Sequence, residues 1–545
     1  MNTIILAAGK IDYTQLPYGT HQSNATIPVN GKPVISWILD DLIQKGKSEI
    51  TVVLRSDNHK LKQLLDKHYK QKLSLHLAEV SGSGSIIHSL EAGLKSTPNK
   101  HQEVEVILGD TLLYDSYSDL NDRVYVAEVN NSENWCIVEA ENNTIKKLHD
   151  KTSIPGKSHL ALCGYYCFSN AEYLKKCVEQ ILTSGARELS AVLMAYHQKI
   201  PLHIKQAEHW FDFGHLESMI HSKKSLMRPR HFNSITINPL LNTLTKVSEK
   251  TDKLNDELNW YLNLPEEIKI LTPRIMLSQQ DNHTITITQE YYGYPALSEL
   301  FVYGDLSESV WESIIDYLFR IHQIFKAYPK SLQQQTLQEI YTTKTQERIN
   351  QLLTQNDYWP SLWNKEIILI NGKKYKNIGY LLEQLKPEIE QLSNYEQGCI
   401  IHGDYCLSNI LYDVTNQIVR LIDPRGSFGE KGIYGDPRYD IAKLKHSISG
   451  LYDYLVGDLF KIKEIEDAHF EVAIFEDQKN KKLADFFIQC AESNGYDIRE
   501  IKIIEALLFV SMIPYHADYF KRQQMMYLRS IELLTVLVNK NENSN

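Results

Sequence analysis

The chain has 545 residues, of which 43% are hydrophobic and 23% are charged, and its formal net charge is −10. This length exceeds one ordinary hydrophobic core and predicts two large domains or about three smaller ones. The acidic balance argues against nucleic acid and anionic membrane surfaces as main partners, because both recruit basic patches.

Neither the cysteines nor the apolar segments predict an exported or membrane protein. The 7 cysteines lack the paired C-x-x-C spacing of a zinc or redox site, so reduced thiols in the cytoplasm are expected. The first residues lack the basic segment and long apolar core of a signal peptide. No stretch approaches the roughly 18 apolar residues of a membrane span. We therefore expect a cytoplasmic protein with small-molecule partners, whose oligomeric state is left open.

Residues 1–110 alternate short apolar strands with amphipathic helices, which predicts parallel β-α-β units in a Rossmann-like α/β domain. The predicted strands are 3–6, 50–54, 73–80 and 104–108, and the predicted helices are 34–44, 58–69 and 85–94. Ligands of such folds bind at the carboxyl ends of the strands. Ala7-Ala8-Gly9 and Gly109-Asp110 lie at two of these ends.

Several motifs follow one another in an order that resembles the sugar-phosphate nucleotidyltransferases over residues 1–225. They are Ile4-Ile5-Leu6-Ala7-Ala8-Gly9, Ile27-Pro28-Val29-Asn30-Gly31-Lys32-Pro33, Ser81-Gly82-Ser83-Gly84-Ser85, Leu108-Gly109-Asp110, Cys163-Gly164-Tyr165-Tyr166 and Trp210-Phe211-Asp212-Phe213-Gly214. The resemblance implies a GT-A-like domain that transfers a nucleotidyl group to a sugar phosphate.

Each motif has a physical role in that chemistry. Small residues let the backbone approach a nucleotide closely, and glycines at a helix start offer free N–H groups to a phosphate. The residues expected to bind nucleotide are Leu6, Ala7, Ala8, Gly9, Lys10, Gly82, Ser83 and Gly84. Asp110 and Asp212 are the expected catalytic residues and Mg²⁺ ligands. Lys151, Gly164 and Tyr165 are expected to contact the sugar phosphate.

The signature loop departs from the family pattern. The family continues its Ala-Ala-Gly with a second Gly and an Arg, and it places a Lys where Asn24 stands here. Losing two cations beside a triphosphate costs several kcal/mol of transition-state stabilisation if nothing replaces them. Either Lys10 and another base substitute for them, or the domain binds nucleotide without turning it over.

A Pro-containing basic stretch, 227–232, separates this region from strand-like sequence and predicts a domain boundary at about residue 230. The expected domains are therefore 1–230 and 231–545. Within the second, residues 233–292 predict strand, strand, helix, strand and strand, followed by long amphipathic helices. This pattern predicts a small β-rich lobe at about 231–300 and a helical lobe at about 301–545.

The stretch His402-Gly403-Asp404-Tyr405-Cys406-Leu407-Ser408-Asn409 is followed by Leu421-Ile422-Asp423-Pro424 and predicts a phosphoryl-transfer site. One carboxylate can orient a hydroxyl, while the amide and the second carboxylate can hold Mg²⁺ against nucleotide phosphates. Apolar segments on both sides of the loop predict short buried strands that position it. Function is often carried by such loops.

Together with Gly435-Asp436-Pro437-Arg438-Tyr439-Asp440-Ile441-Ala442, this block resembles the aminoglycoside phosphotransferase and choline kinase family. The resemblance implies a bilobal protein-kinase-like fold with Asp404 as catalytic base and Asn409 and Asp423 as Mg²⁺ ligands. It also implies that Asp440 braces the catalytic loop from a helix start. Asp436 and Tyr439 are expected on the acceptor side.

The small lobe must supply a cation for the nucleotide phosphates and an acid to position it. Lys246 and Glu257 are the candidates, with Lys250 and Lys253 as alternatives for the cation. Glu290 and Tyr292 lie at the end of an alternating strand that resembles the adenine-contacting hinge of kinases.

The two resemblances predict a bifunctional Mg²⁺-dependent enzyme. Its kinase would phosphorylate a sugar, polyol or amino alcohol with ATP, and its nucleotidyltransferase would activate the product with a second nucleoside triphosphate, CTP being one candidate. The expected destination is capsular or other surface polysaccharide. The alternatives are a choline or ethanolamine kinase fused to its cytidylyltransferase, and a kinase regulated by a non-catalytic nucleotide-sugar sensor. An antibiotic-modifying kinase is disfavoured by the fused domain.

Overall fold

The computed structural model of the chain describes residues 2–9, 23–70, 72–81, 84–98, 102–115, 122–226, 233–238, 240–281, 283–304 and 306–542. The chain forms two compact units, residues 1–227 with 303–305 and residues 228–302 with 306–545. The predicted boundary at about residue 230 lies outside the described residues.

The first unit mixes strands and helices. Its strands are β1 (Asn2–Leu6), β2 (Pro28–Val29), β3 (Lys32–Pro33), β4 (Glu49–Arg55), β5 (Ser74–Val80), β6 (Val104–Leu108), β7 (Thr111–Leu113), β8 (Arg123–Val129), β9 (Cys136–Glu141), β10 (Thr144–Asp150), β11 (His159–Phe168), β12 (His203–Gln206) and β13 (Trp210–Asp212). Its helices are α1 (Val34–Gln44), α2 (His59–Leu64), α3 (Ile86–Ser96), α4 (Ala171–Thr183), α5 (Leu189–His197) and α6 (Leu216–Ser225).

Nine of the described strands form one sheet in the order β5-β4-β1-β6-β11-β8-β12-β10-β9. The first four strands of that order run parallel, and β11 is antiparallel to β6. Leu6 at the end of β1 pairs with Leu108 at the end of β6. Both carboxyl ends therefore meet at the same edge of the sheet, where a parallel sheet binds its ligands.

The predicted β-α-β alternation of residues 1–110 is confirmed. Helix α1 packs because its apolar residues recur at helical spacing, and Ile35, Ile38, Leu39 and Leu42 are all buried. Beside the main sheet, β7 and β13 form a small antiparallel sheet in which Asp212 pairs with Thr111. This pairing brings a late segment of the unit next to Asp110.

The second unit begins with strands and becomes largely helical. Its strands are β14 (Asn233–Asn238), β15 (Thr243–Ser248), β16 (Ile275–Gln280), β17 (Ile285–Glu290), β18 (Pro329–Ser331), β19 (Ile367–Ile370), β20 (Lys373–Lys376), β21 (Gln397–Ile400), β22 (Ile410–Asp413), β23 (Ile418–Leu421), β24 (Ser427–Phe428), β25 (Glu430–Lys431), β26 (Tyr434–Gly435), β27 (Phe460–Glu466) and β28 (His469–Ile474). Its helices are α7 (Thr251–Asn263), α8 (Glu266–Lys269), α9 (Leu297–Val302), α10 (Glu308–Lys326), α11 (Gln334–Gln338), α12 (Lys344–Leu353), α13 (Tyr358–Trp363), α14 (Ile378–Gln391), α15 (Pro437–Ile448), α16 (Tyr452–Val456), α17 (Lys479–Ser493), α18 (Ile498–Met512) and α19 (Phe520–Glu542).

Strands β14-β15-β17-β16 form an antiparallel sheet, and α7 packs on it through Leu254 and Leu258 against Ile285 and Ile287. The predicted strand and helix order of residues 233–292 is therefore confirmed. The mixed α/β character of the chain is confirmed as well, while a two-lobed kinase arrangement stays a prediction.

One feature of the helical region differs from the prediction. Strands β20-β19-β28-β27 form a further sheet where helices interrupted only by the catalytic loop were expected. The turn between β19 and β20 is Asn371-Gly372, and both residues have positive φ. Asn-Gly between alternating segments is a strong short-range hairpin signal, because both positions accept that backbone conformation. The signal was present in the sequence.

Among the described helices, none is both long enough and apolar enough to cross a membrane.

Candidate active sites

Small residues bring two backbones together at the ligand-binding edge of the first unit. The Gly109 amide donates to the Leu6 carbonyl at 2.9 Å. A Cβ atom on Gly109 would lie only 2.7 Å from Ala7 Cα, so a larger residue would separate the two strand ends. The predicted nucleotide-binding residues Leu6, Ala7, Ala8 and Gly9 therefore lie beside Gly109 and Asp110.

Asp110 and Asp212 come together at this edge. The Phe213 amide donates to the Asp110 carbonyl at 2.9 Å, which links the segment after β13 to the end of β6. Asn24 donates from Nδ2 to Asp110 Oδ2 at 2.9 Å. Burial and the neighbouring Asp212 carboxylate raise the pKa of Asp110, and the Asn24 hydrogen bond opposes this rise. The position where the resemblance implies a lysine is thus occupied by a neutral donor to the predicted catalytic carboxylate.

The space between the two carboxylates fits a small hard cation. A Cβ atom on Gly214 would lie 3.0 Å from Asp110 Oδ2 and 3.4 Å from Asp212 Oδ1, so the absence of a side chain keeps this space open. Carboxylate oxygens are the ligands that Mg²⁺ prefers, usually with waters and substrate phosphates completing its shell. Among the described residues, no group of three or more His, Cys, Asp or Glu forms a site made by protein alone.

Sequence reasoning missed the aromatic and basic groups around Asp212. His215 Nδ1 lies 3.3 Å from Asp212 Oδ2, and this hydrogen bond raises the pKa of His215. The His215 ring lies 4.7 Å from that of Trp135, which in turn lies 5.0 Å from the Trp210 ring. Lys151 donates its backbone N–H to the Trp135 carbonyl at 2.9 Å. The short spacing of Asp212 and His215, three residues apart, is the one sequence signal that could have indicated this cluster of aromatic and basic side chains.

Other predicted residues of this unit have different surroundings. Lys10, Gly82 and Ser83 lie outside the described residues. The Gly84 amide donates to the Ser81 carbonyl at 3.3 Å, so this group is used within the turn before α3. Gly164 has φ +81° in an irregular part of β11 and closely approaches Leu108 and Thr111.

Tyr165 does not lie where a substrate-contacting residue is expected. Its side chain is 1% exposed, and its ring packs edge-on against Tyr125 at 6.0 Å. Residues 161–168 of β11 are all buried, because the strand is covered on both faces of the sheet, and the Tyr165 ring is part of this interior. Lys151 lies within electrostatic reach of His215, and its contact with a sugar phosphate stays a prediction.

The catalytic-loop residues of the second unit are assembled between β21 and β22. Asn409 Nδ2 donates to the Asp404 backbone carbonyl and to Asp404 Oδ2, both at 3.0 Å. Lys443 Nζ, on α15, lies 2.9 Å from Asp404 Oδ1. The Asp404 side chain is 39% exposed and that of Lys443 is 9% exposed, so the carboxylate stays accessible to a substrate.

Lys443 controls the ionisation of Asp404. Burial opposes ionisation, but the Lys443 ammonium lowers the pKa of Asp404 to about 2. The same carboxylate raises the pKa of Lys443 despite its burial. Asp404 is therefore a carboxylate at neutral pH, the state that accepts a hydrogen bond from a substrate hydroxyl.

Asp440 holds the loop from the first turn of α15. Its Oδ2 accepts from the His402 amide at 2.7 Å, and its Oδ1 accepts from the Gly403 amide at 2.8 Å. Gly403 has φ +76°, a conformation that favours glycine. The bracing contact predicted for Asp440 is confirmed.

Lys246 on β15 is the cation that meets the catalytic block. Its Nζ lies 2.6 Å from Glu257 Oε1 on α7 and also forms an ion pair with Asp423. Despite burial, these two carboxylates raise the pKa of Lys246, so it remains an ammonium. The structure brings together Lys246, Glu257 and Asp423 as the sequence predicts.

Asn409 and Asp423 offer oxygen ligands side by side. The Ile422 amide donates to the Asn409 carbonyl at 3.0 Å, which joins the two segments. Asp423 has φ +54°, and its side chain is 47% exposed. The Asn409 amide nitrogen donates to Asp404, so the Oδ1 oxygen is the side-chain atom that can act as a metal ligand. One amide and one carboxylate oxygen fit Mg²⁺ that is bound largely through nucleotide phosphates.

The side chains of Glu290 and Tyr292 are hydrogen-bonded to each other. Tyr292 donates its hydroxyl to Glu290 Oε2 at 2.6 Å, and the Arg420 guanidinium lies 5.1 Å from the Tyr292 ring. Both side chains line a cavity of about 510 Å³ that Tyr261 and Arg420 also line. A contact with adenine through the backbone of this segment stays a prediction.

Asp436 lies in the interior, which corrects its expected place on the acceptor side. It is 0% exposed, accepts from the Tyr341 hydroxyl at 2.7 Å and forms an ion pair with Arg438 at 2.7 Å. It also accepts from the Arg438 amide at 2.9 Å as the N-cap of α15. Its oxygens are thus used to begin the helix that carries Asp440 and Lys443.

Tyr439 is hydrogen-bonded to Arg425, which contacts the catalytic loop. Its hydroxyl accepts from Arg425 Nη1 at 2.9 Å, and the residue is 7% exposed. The Arg425 amide donates to the His402 carbonyl at 3.0 Å, so this arginine lies against the catalytic loop. Sequence reasoning missed Arg425, Lys443 and the nearby Lys344, because their spacing from Asp404 carries no local pattern.

Comparison with known proteins divides the chain in the same way. The nucleotidyl transferase family model matches residues 2–228, and the phosphotransferase enzyme family model matches residues 246–453. A bifunctional sugar-1-phosphate nucleotidylyltransferase/acetyltransferase from Sulfurisphaera tokodaii is 26% identical over 227 residues, covering 39% of this chain and 52% of the relative. The chain thus spans about half the length of that curated relative.

Among solved structures, a Bacillus anthracis protein provisionally described as a glucose-1-phosphate thymidylyltransferase, in complex with a sucrose, matches 43% of this chain and 97% of its own. Its sequence identity is 19% and its TM-score is 0.37. The chain combines an N-terminal nucleotidyl transferase domain with a C-terminal phosphotransferase domain, two domains that belong to transferase families.

Proposed function

We propose that the C-terminal domain phosphorylates a hydroxyl group with ATP, and that the N-terminal domain joins the resulting phosphate to a nucleotidyl group with release of pyrophosphate. The product is a nucleotide-activated sugar, polyol or amino alcohol. The observation that carries this proposal is the assembly of Asp404, Asn409, Asp423 and Lys246 in one place from three separate segments.

In the phosphotransferase domain, Asp404 accepts a hydrogen bond from the acceptor hydroxyl and takes its proton as the new bond to phosphorus forms. Lys443 and Asn409 hold this carboxylate in place through contacts of 2.9 and 3.0 Å. Lys246, positioned by Glu257, neutralises phosphate charge. Mg²⁺, held by Asn409 and Asp423, supplies charge neutralisation and orientation of the nucleotide phosphates when it is bound.

In the nucleotidyl transferase domain, the small residues beside Gly109 let the protein backbone approach a nucleotide closely. Asp110 and Asp212 would hold Mg²⁺ in the space that Gly214 leaves open. Lys151 and His215 lie near these carboxylates, and the raised pKa of His215 favours its charged form, which suits a sugar phosphate. Support for sugar-phosphate chemistry comes from the Sulfurisphaera tokodaii relative, a sugar-1-phosphate nucleotidylyltransferase by name.

The proposed order of reactions follows from their chemistry. A kinase creates the phosphomonoester that a nucleotidyltransferase consumes, so the two activities on one chain form a natural sequence. We also propose that the activated product is used to build surface polysaccharide, including capsule. This part of the proposal rests on the resemblance of the two domains to enzymes that make such building blocks.

A second candidate is a kinase whose N-terminal domain binds a nucleotide or nucleotide sugar without turning it over. The Asn24 contact favours it, because a neutral amide donates to Asp110 at 2.9 Å where the resemblance implies a lysine. This reading predicts no pyrophosphate release and a kinase rate that responds to added nucleotide sugars.

Measuring ADP release and pyrophosphate release separately, over a set of hydroxyl compounds and their phosphates with each nucleoside triphosphate, tests the proposal. We expect Asp404→Asn to abolish ADP release alone and Asp110→Asn to abolish pyrophosphate release alone. Absence of both products from the wild-type chain would refute the proposed function, whereas ADP release without pyrophosphate release would favour the second candidate.

A further inference from the structure

Three basic side chains, Lys344, Arg348 and Arg425, lie within electrostatic reach of one another, and Arg425 is also within electrostatic reach of the catalytic carboxylate Asp404. We call them the basic cluster. All three are partly exposed, so a ligand can reach them. Within the described part of the chain, no carboxylate lies within ion-pair distance of any of the three.

Arg425 ties the basic cluster to the reacting groups. Its backbone amide donates to the His402 carbonyl at 3.0 Å, and its Cβ lies 2.7 Å from where a Cβ on Gly403 would stand. Its Nη1 donates to the Tyr439 hydroxyl at 2.9 Å. The guanidinium is therefore held within electrostatic reach of Asp404.

Lys344 and Arg348 face the same region from α12. Lys344 begins this helix directly after a π-helical turn, Glu339–Thr343, an uncommon distortion that is frequent at functional sites. Tyr341 in that turn donates to Asp436 Oδ2 at 2.7 Å, which packs the turn against the start of α15. The Arg348 guanidinium lies 4.5 Å from the ring of Tyr515.

The charges of this group act on one another. Burial, together with Arg425, Arg348 and Lys443, lowers the pKa of Lys344 from 10.5 to about 8, and Glu339 opposes the fall. Concentrating like charges costs free energy while no anion is bound to them. Such a cost is commonly offset when an anion binds.

The nucleotide phosphates have a different cation. Lys246 contacts Glu257 and Asp423, next to the predicted Mg²⁺ ligands, whereas Arg425 lies against His402 and Gly403 at the start of the loop. The two basic groups thus come from different elements. Lys246 lies beside the predicted Mg²⁺ ligand Asp423, and Arg425 lies beside the start of the catalytic loop.

We propose that the phosphoryl acceptor carries an oxyanion group, a carboxylate or a phosphate, that binds the basic cluster while its hydroxyl meets Asp404. This inference rests on the proposed kinase function and narrows its substrate class. It disfavours choline, ethanolamine and aminoglycosides as acceptors, because a cationic group would be repelled by Lys344 and Arg425.

The test compares acceptors that share a skeleton and differ in charge, such as glucose, glucuronate, glucose 6-phosphate and glucosamine, or glycerol, glycerate and glycerol phosphate. ADP release is measured for each. We expect kcat/KM for an anionic member to exceed that of its neutral counterpart by about tenfold or more, the effect of one well-placed charge contact. Carboxylate and phosphate members distinguish the two oxyanions.

Variants assign the effect to the basic cluster. Lys344→Met should raise KM for the anionic acceptor about tenfold with little change in KM for ATP. Lys461→Met, on an exposed position of β27, is the matched control and should change neither constant. Lys344→Arg should restore most of the acceptor affinity, because it keeps the charge.

Binding of an oxyanion to the basic cluster can also be measured without enzyme turnover, with sulfate as the probe. Sodium sulfate should raise the Tm of the wild type and of Lys461→Met more than that of Lys344→Met, relative to sodium chloride at matched ionic strength. Sulfate stabilises proteins generally by exclusion from their surface, so the difference between variants is the informative quantity.

The outcomes separate the two proposals. Turnover with no preference for anions, a preference for cations, or a Lys344→Met effect on KM for ATP instead of KM for the acceptor would each overturn the oxyanion site. No ADP release with any acceptor would refute the proposed kinase, and the sulfate comparison would then decide the oxyanion site by itself.

Discussion

Lys443 on α15 lies 2.9 Å from Asp404 Oδ1, so the cation that holds the catalytic carboxylate comes from outside the catalytic loop. The loop itself carries no basic residue between Asp404 and Asn409. Asp440, one helical turn before Lys443, fixes the loop backbone. The start of α15 therefore positions both the backbone and the reacting side chain.

This arrangement predicts the effect of changing Asp404. Asp404→Asn keeps a polar contact with Lys443 but removes the proton acceptor, so ADP release should fall by about 10²–10⁴-fold with little change in Tm. Retention of more than about a tenth of the rate would contradict the role of Asp404 as base. Asp467→Asn, an exposed residue paired with Lys365, should retain the wild-type rate.

Lys246→Met should raise KM for ATP and lower kcat, because the ammonium held by Glu257 also pairs with Asp423, one of the predicted Mg²⁺ ligands. Lys253→Met tests an alternative from the same region and should have a small effect, since this residue is exposed on α7. Initial rates over a range of ATP concentrations measure both constants. Equal effects of the two changes would argue against a special role for Lys246.

Gly214→Ala should weaken Mg²⁺ binding and pyrophosphate release by about tenfold or more if Asp110 and Asp212 share the cation. The added methyl group would lie 3.0 Å from Asp110 Oδ2 and 3.4 Å from Asp212 Oδ1 and would occupy the space between them. Gly293→Ala is a control, because a methyl group there meets nothing closer than 4.0 Å. Unchanged Mg²⁺ dependence in Gly214→Ala would show that the cation does not bind between the two carboxylates.

The affinity for an anionic acceptor should depend on pH through Lys344, whose pKa is lowered from 10.5 to about 8. The ammonium is present below this pKa, so KM for the acceptor should rise as the pH increases through about 8. The facing groups are Arg348, Arg425, Lys443 and Glu339, none of which has its ordinary titration range near pH 8. Lys344→Arg should make the acceptor KM independent of pH in this range.

Lys344 should also affect stability, and the sign follows from linkage. The unfolded state binds more protons at this lysine than the folded state between about pH 8 and 10.5, so its contribution to stability should increase with pH in that window. Lys344→Met should remove this increase and raise the Tm at neutral pH. A lower Tm would indicate a structural role for the charged side chain.

Asp436→Ala should destabilise the second unit by up to about 3–5 kcal/mol, because it removes one of the two carboxylates, Asp436 and Glu500, that pair with the buried Arg438. Asp436 is 0% exposed and Arg438 is 2% exposed. Asp467→Ala is the matched control, since the exposed pair with Lys365 should contribute at most about 1 kcal/mol. Chemical denaturation measures the free energy of unfolding of both variants. A rise in KM for the acceptor without loss of stability in Asp436→Ala would instead support a contact between Asp436 and the acceptor.

The sequence by itself determined the parts of this protein that depend on near neighbours along the chain. The alternation of residues 3–108 is a periodic signal, and the spacing of Asn409 and Asp423 places both beside the paired ends of β22 and β23. The Asn371-Gly372 turn was of the same kind, although the surrounding helices obscured it.

Only the tertiary structure decided which distant groups complete each site. The Lys443 contact with Asp404, the position of Arg425 against His402 and the Asn24 contact with Asp110 join separate elements, so no local pattern could indicate them. It also placed Tyr165 and Asp436 in the interior, since burial depends on what packs against a residue. Local residue preferences act over a few positions, whereas packing and electrostatics act through space.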